Sequence, residues 1–418
     1  MSMKTARRVH ILTLGCRSNQ YDSEWLRRYL LGSGYQETES LADADYVIIN
    51  SCVVTHKAER DVRKLVSRAR REGKPGAQVI LTGCMVPLHR SLPVDFQGTV
   101  REVRAYLKAD RPAPVFQQRR TRAVLRIQDG CSFQCTYCIV PKVRGPAVSK
   151  PLKEILREAQ DLVDAGFQEI VITGTQVGGW GRDLGFSLRS LFEAILGLSP
   201  RLTIRVSSML PHYLDAELLD FWASEPRLLP HFHLPLQSGS PRILRVMKRP
   251  YTLEFYERLV MAIHERLPHA GIGTDLIVGF PGETEEDFQQ TVEILQRLPF
   301  TYAHIFEFSP REGTEAATLP DPVPAQVRKA RVRTLLSIVE EKKRAFLRRH
   351  IGRTLRVLVE REIGPGQYLG TSENYLRVKM TGRDLPIGTV VSVRVTGVED
   401  LQAVGVPASR TPTTLSMS

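Results

Sequence analysis

The stretch Cys131-Ser-Phe-Gln-Cys135-Thr-Tyr-Cys138 sets three thiols at offsets of four and three, directly after the apolar run Ala123-Val-Leu-Arg-Ile127. Thiolates are the natural ligands of iron–sulfur clusters and of soft or borderline metals. Three thiolates on one loop can hold three irons of a cubane. The fourth iron then stays open to a chelating molecule. A zinc loop competes with this reading, although closed zinc sites use four ligands and usually pairs of C-x-x-C. Ordinary buried cysteine is the third possibility.

The other three cysteines share a different pattern. Val9 to Leu14 is an apolar run that ends at Gly15-Cys16. Tyr46 to Ile49 ends at Asn50-Ser51-Cys52, and Gln78 to Leu81 ends at Thr82-Gly83-Cys84. Helix-compatible segments separate the runs: Tyr21 to Leu31, and the strongly basic Lys57 to Arg71. Short apolar runs alternating with helices predict a parallel, doubly wound sheet. In such a sheet all carboxyl ends lie on one rim, where ligands bind. Cys16, Cys52 and Cys84 are therefore expected to converge, and a shared metal site is the favoured reading over three separate core cysteines.

The alternation resumes after a stretch, Arg111 to Arg122, with two prolines and four arginines. Strands are expected at 124–128, 169–173, 203–207, 231–236, 273–279 and 303–308, with amphipathic helices between them. Six βα units predict an incomplete barrel, since a closed eight-unit barrel typically needs about 250 residues. Sites in such barrels gather at strand carboxyl ends. The cysteine loop falls there, as do Thr173, Gly174, Ser207, Ser208, Gln237 and Gly279. Each is also ordinary turn chemistry. His231 and His233 share one strand face and read as core or mouth residues. A basic helix follows from about Ala325 to His350. Short β-branched runs then predict a small all-β barrel or sandwich of about sixty residues. The expected organisation is 1–110, a linker at 111–122, 123–346, 347–407 and a disordered tail at 408–418.

Composition narrows the function classes. The chain has 418 residues, 42% of them hydrophobic, so a sizeable core is expected. No apolar run reaches membrane-spanning length, and Met1 to Arg8 lacks a signal-peptide core. A cytoplasmic location is expected, where six cysteines read as ligands or catalysts before disulfides. The net charge of +13 and the pI near 9.6 favour a polyanionic partner, most simply nucleic acid.

Together these motifs carry a resemblance. Cys131-x-x-x-Cys135-x-x-Cys138 in a barrel context resembles the radical S-adenosylmethionine (SAM) superfamily. Thr13-Leu-Gly-Cys16-Arg-Ser-Asn-Gln-Tyr-Asp-Ser-Glu24, Ile49-Asn-Ser-Cys52-Val-Val-Thr55 and Thr82-Gly-Cys84 resemble the N-terminal domain of the methylthiotransferases. Pro141-Lys-Val-Arg-Gly145, Gly279-Phe-Pro-Gly-Glu-Thr284 and Phe308-Ser-Pro-Arg-Glu-Gly-Thr314 extend the likeness, and the last segment resembles a TRAM domain. Asn19-Gln20-Tyr21, Thr55-His-Lys-Ala58 and Ile127-Gln-Asp-Gly-Cys131 are most like the branch acting on threonylcarbamoyl-adenosine at position 37 of tRNA. Two departures stand out: Met85 to about Leu107 is short, and Pro87 interrupts the helix expected after Cys84.

The resemblance implies an α/β protein with an N-terminal doubly wound sheet, a partial (β/α)6 radical SAM barrel and a TRAM-like β-barrel. It implies that Cys131, Cys135 and Cys138 bind a [4Fe–4S] cluster whose open iron chelates SAM. Reduction then yields a 5′-deoxyadenosyl radical that takes a hydrogen from C2 of the adenine. Cys16, Cys52 and Cys84 are implied ligands of a second [4Fe–4S] cluster that carries the inserted sulfur, and a second SAM supplies the methyl group. Thr173, Gly174, Ser207, Ser208, Gln237 and Gly279 are the candidates for lining the SAM site. No catalytic side chain beyond the cluster ligands is expected. The implied partners are tRNA, with Lys57 to Arg71 a candidate phosphate contact, and an external electron donor such as a flavodoxin or ferredoxin. Nothing demands more than a monomer. The alternatives are the same chemistry on isopentenyl-adenosine 37 or on a ribosomal-protein aspartate, and a zinc-stabilised, non-catalytic RNA-binding protein.

Overall fold

The computed structural model describes residues 6–88, 91–111 and 121–408. Most of the expected linker and all but the first residue of the expected tail lie outside the described residues.

The first sheet contains β1 (Arg8–Thr13), β2 (Gln36–Glu37), β3 (Tyr46–Ser51), β4 (Gln78–Gly83) and β5 (Phe96–Gln97), all parallel, in the order β2-β1-β3-β4-β5. Side chains alternate across it. Ile48 and Ile80 pack against the helices Arg17–Gly32 and Val100–Tyr106. Val47, Ile49, Val79 and Leu81 pack against the helix His56–Glu72. Helices thus cover both faces. The first helix starts at Arg17, four residues before the apolar spacing begins, because Gly15 turns the chain at φ +93° and Cys16 takes the N-cap position. Its extra residues Ser18 and Asn19 are polar and buried, which hides them from a periodicity argument. Among the described residues a 3-10 turn, Val86–Leu88, follows Cys84, where Pro87 disfavours an α-helix.

The second unit is an open arch. β6 (Ala123–Asp129), β7 (Val148–Ser149), β8 (Glu169–Gly174) and β9 (Thr203–Val206) form one sheet in the order β7-β6-β8-β9, with only β7 antiparallel. β10 (His231–His233), β11 (Gly271–Val278) and β12 (Tyr302–Glu307) form a parallel sheet beside it. Single bridges, Ile204 to Leu228 and Ser208 to His233, connect the two. Six parallel strands therefore follow one another, and no described pairing joins β12 back to β6. The outward residues, such as Leu125, Ile172, Ile204, Phe232 and Leu276, build the main core with the surrounding helices. The inward residues are largely polar.

The last unit closes fully. β13 (Thr354–Gly364), β14 (Gln367–Ser372), β15 (Arg377–Thr381), β16 (Val390–Glu399) and β17 (Gln402–Pro407) form a closed barrel in the order β13-β14-β15-β17-β16. Val357, Val378, Met380, Val393 and Val395 fill it. The long helix Ala325–Arg348 leads into it. Among the described residues no helix is long and apolar enough to cross a membrane.

The β14–β15 turn docks into the arch. Asn374 Nδ2 donates to His269 O at 3.0 Å and approaches His350 Nε2 at 2.9 Å. His350 Nδ1 lies 2.8 Å from Phe346 O. This pairing fits a neutral ring with the proton on Nδ1. Burial, more than the nearby cations, holds the His350 pKa below its ordinary 6.5. The unfolded ring takes up its proton first, so the stability carried by the neutral ring is present above about pH 6.5 and is lost as the pH falls below it. The unfolding midpoint should therefore drop between about pH 7.5 and pH 5.5. A His350→Gln variant should show a shallower dependence in thermal melts.

Candidate functional site

The N-terminal triad sits on one rim, as parallel strands require. Cys16 is exposed, whereas Cys52 and Cys84 are buried. A Cβ on Gly15 would lie 2.7 Å from Cys52 Cβ and 2.9 Å from its Sγ, so only glycine lets these two turns meet. Asn19 ties the cysteines together: its Oδ1 is 3.9 Å from Cys16 Sγ and 3.8 Å from Cys84 Sγ. Its Nδ2 donates to Leu14 O and Ser51 O, both at 2.8 Å. One carboxamide thus clamps two strand ends and faces two sulfurs.

The barrel triad is fixed by its own braces. Gln128 Nε2 donates to Gly130 O at 2.7 Å, and Gln176 Oε1 accepts from Ser132 N at 3.2 Å. Thr136 N donates to Met247 O at 3.2 Å. Arg249 Nη1 lies 3.5 Å from Cys135 Sγ and donates to Tyr137 Oη at 3.1 Å. Its Nη2 donates to Pro235 O and to Tyr251 Oη, at 3.0 and 2.7 Å. A half-buried guanidinium therefore stands against the cysteine loop.

The two triads meet through the helix Val140–Arg144, which begins just after Cys138. Ile139 and Val143 pack in the same cluster as Cys84 and Met85. Arg144 Nη2 donates to Asn19 Oδ1 at 2.5 Å and to Asp22 Oδ2 at 3.2 Å. Its Nη1 reaches both oxygens of Asp129, at 3.0 and 3.1 Å. Arg126 completes the bridge with Asp22 at 2.6 Å and Asp129 at 3.0 Å. A cleft of about 530 Å³ opens beside this network, lined in part by Cys84, Asp129, Arg144 and Lys150.

Burial raises the pKa of Cys52 and Cys131 and pushes those of Cys84 and Cys138 up to about 12. Arg144 opposes the shift at Cys52 and Cys84, and Arg249 opposes it at Cys131 and Cys138. Thiols in such places ionise when a cationic centre takes the charge.

The spacing of the sulfurs tests which centre fits. Among the described residues, the group of three metal-ligating side chains whose donor atoms all lie within 4.8 Å of one another is His233, Asp275 and His304. Neither cysteine triad is that tight. Zn–S bonds of about 2.3 Å in a tetrahedron would hold the sulfurs roughly 3.8 Å apart. Triads that converge yet stay wider suit a cluster better than a single ion.

The other expected residues spread over the mouth. Thr173 Oγ1 accepts from Ser207 Oγ at 3.4 Å, and Gly174 packs against Gln128. Ser208 bridges to His233 in the second sheet. Gln237 takes φ +80° and bridges to Leu276. Gly279 is drawn elsewhere: its N–H donates to Glu283 Oε2 at 2.6 Å, a carboxylate that Arg331 also holds. Asn19 and Arg144 lay inside the quoted motifs without an assigned role. Gln128 likewise lay inside a quoted motif without an assigned role, whereas Arg249 and Gln176 gave no sequence signal, because a brace is defined only by what it touches.

Sequence comparison finds two family matches along the chain. A profile of the "Radical SAM superfamily" matches residues 125–295, and that of "Uncharacterized protein family UPF0004" matches residues 8–98. The Aquifex aeolicus protein named threonylcarbamoyladenosine tRNA methylthiotransferase MtaB is 36% identical over 416 residues, covering 93% of this chain and 100% of the relative. The chain belongs to the radical SAM methylthiotransferase family. Membership of the superfamily brings a [4Fe–4S] cluster and SAM, and the barrel triad with its wide spacing fits such a cluster. Other members include the Thermotoga maritima protein of the same name, 34% identical over 95% of this chain and 96% of the relative. A Cereibacter sphaeroides protein named tRNA-2-methylthio-N(6)-dimethylallyladenosine synthase is 34% identical over 94% of this chain and 97% of the relative. Among solved structures, the radical SAM methyltransferase TsrM of Kitasatospora setae superposes with a TM-score of 0.54 at 15% identity, covering 72% of this chain and 73% of that one, a likeness of fold.

Proposed function

We propose that this chain is a tRNA methylthiotransferase that places a methylthio group on C2 of N6-threonylcarbamoyl-adenosine at position 37. The observation that carries the reading is the junction of the two triads through Arg144, inside a family whose relatives bear tRNA methylthiotransferase names.

Cys131, Cys135 and Cys138 would hold the cluster that binds SAM, and Cys16, Cys52 and Cys84 a second one. Bound there, these groups supply the one-electron chemistry that an unactivated aromatic C–H bond demands. The residues of the chain do the rest. Asn19 and Gly15 set the spacing of the N-terminal sulfurs. Arg249 and Tyr137 fix the barrel loop. Arg144 ties one triad's surroundings to the other's, so a base between them meets both in a fixed relation. The basic helix His56–Glu72 carries Arg60 and Arg63 into a groove also lined by Glu59, Glu312 and the buried, Glu59-paired Arg311, so Arg60 and Arg63 are the candidate contacts for tRNA phosphates. A cytoplasmic setting, an external electron donor and a monomer belong to the same reading.

The test is mass spectrometry of nucleosides after the purified, anaerobically reconstituted enzyme acts on tRNA carrying threonylcarbamoyl-adenosine. The methylthio form should appear. Conversion of dimethylallyl-adenosine tRNA alone would overturn the substrate assignment.

Arg144→Gln supplies a second check. Partners of metal ligands typically contribute about 10–100-fold to affinity. Iron at the N-terminal triad should be retained about 10–100-fold less tightly, with the barrel cluster unchanged by electron paramagnetic resonance. Wild-type iron retention at the N-terminal triad would contradict the role assigned to Arg144.

A further inference from the structure

We propose that Arg17 reads the carboxylate of the threonyl group on the substrate base, with the phenol of Tyr375 holding its guanidinium in place. The proposal rests on the substrate reading above and adds a specificity residue to it.

Arg17 follows Cys16 directly and opens the helix Arg17–Gly32. Its Nη2 donates to Tyr375 Oη at 3.2 Å, a contact that joins the first unit to the last inside the arch. Its charge is felt at His231 and Tyr302, on the inward face of β10 and β12. The guanidinium therefore points from the N-terminal triad into the barrel.

Its lack of an anion sets it apart. Arg126 and Arg144 pair with Asp22 and Asp129, Arg205 with Glu169, and Arg311 with Glu59. Among the described residues Arg17 pairs with no carboxylate, and its one described side-chain hydrogen bond goes to a neutral phenol. A half-buried guanidinium with no anionic partner presents a planar fork of donors, the geometry that matches a carboxylate.

Tyr375 is held for this task. It takes φ +70°, a region that bulky residues rarely occupy and that persists where surroundings over-determine it. Its ring stacks on His231 with centroids 4.1 Å apart, and Arg205 lies 5.2 Å from the ring centroid. The wall beyond is polar and open. His304 is 58% exposed and lies 3.1 Å from Asp275, while His233 Nε2 lies 3.0 Å from the same oxygen. A threonyl group carries a carboxylate and a hydroxyl, and a dimethylallyl group carries neither. A site built around a charged donor rejects an analogue that lacks its partner far better than an apolar pocket rejects an extra group.

Three anticodon stem-loops decide the matter, bearing at position 37 threonylcarbamoyl-adenosine, its methyl ester, or plain adenosine. Dissociation constants and initial rates are measured with reconstituted enzyme. Wild type should prefer the acid over the ester by about tenfold or more, the scale of a charge-assisted contact. Arg17→Gln should reduce that preference to within about twofold and leave affinity for the plain loop unchanged, and Arg17→Lys should keep part of it. Tyr375→Phe should keep the iron and lower the preference several-fold. It decides the question if Arg17→Gln fails to hold its iron. Three results overturn the proposal: an intact acid preference in an iron-replete Arg17→Gln enzyme, equal weakening of all three loops (a phosphate contact), or a raised KM for SAM without tRNA (a cofactor contact). If wild type leaves the threonylcarbamoyl loop unconverted, the substrate reading falls first and the proposal with it.

Discussion

Cys52→Ala should abolish methylthio transfer while the protein still cleaves SAM to 5′-deoxyadenosine. Cys135→Ala should abolish both. The asymmetry follows from where each thiol stands. Cys135 lies on the loop that Arg249 and Thr136 fix in the barrel mouth. Cys52 lies on the rim of a different sheet, against Gly15. Removing either should leave about four of about eight irons. Product formation should fall by more than about 100-fold in Cys52→Ala, since even partners of a ligand cost 10–100-fold. Chromatography of 5′-deoxyadenosine beside nucleoside mass spectrometry separates the two variants. A Cys52→Ala enzyme that still makes product would show that the N-terminal triad is structural.

Arg205→Ala should destabilise the protein by about 3–5 kcal/mol, the scale of breaking a buried ion pair. Arg205 Nε donates to Glu169 Oε1 at 2.7 Å, with side-chain exposures of 1% and 3%. Its two Nη groups donate to Glu373 O and Ser372 O, both at 3.0 Å, so one side chain ties the closed barrel to the arch. The alanine would leave a buried carboxylate and the Glu373 carbonyl without their partner, while Ser372 O keeps the Tyr375 N–H. Arg205→Ala/Glu169→Gln should recover part of the loss by removing the stranded charge. The Glu373 carbonyl would remain unpaired and Ser372 O would keep only its Tyr375 partner, so recovery stays incomplete. Denaturant titration reads both, and loss of the C-terminal barrel's docking should appear as a second transition.

Much of this architecture was legible in the sequence. β1, β3 and β4 read as apolar runs, and their shared small-residue ends put Cys16, Cys52 and Cys84 on one rim. β2 and β5 were not legible, since two residues carry no period. β17 was missed because Gly405 and Pro407 punctuate it, yet it closes the last barrel. The strand expected to Leu236 ends at His233, and the chain then runs through Pro235 to a lone bridge at Gln237. The site divides along the same line. The ligand candidates follow from spacing within short segments. The groups that join them do not. Arg144 to Asn19 spans 125 positions and Arg17 to Tyr375 spans 358, so neither leaves a local pattern. Arg249 lies far from its cysteine in sequence and is recognised only by touching it.

The central claim is that two separate cysteine triads, one on a sheet rim and one on a barrel loop, each hold a cluster in the same chain. Anaerobic reconstitution followed by iron and acid-labile sulfide determination tests it most directly. The account predicts about eight irons and eight sulfides per chain. A colourless protein with bound zinc and no sulfide, or one that retains about four irons whether or not Cys16, Cys52 and Cys84 are present, would contradict it.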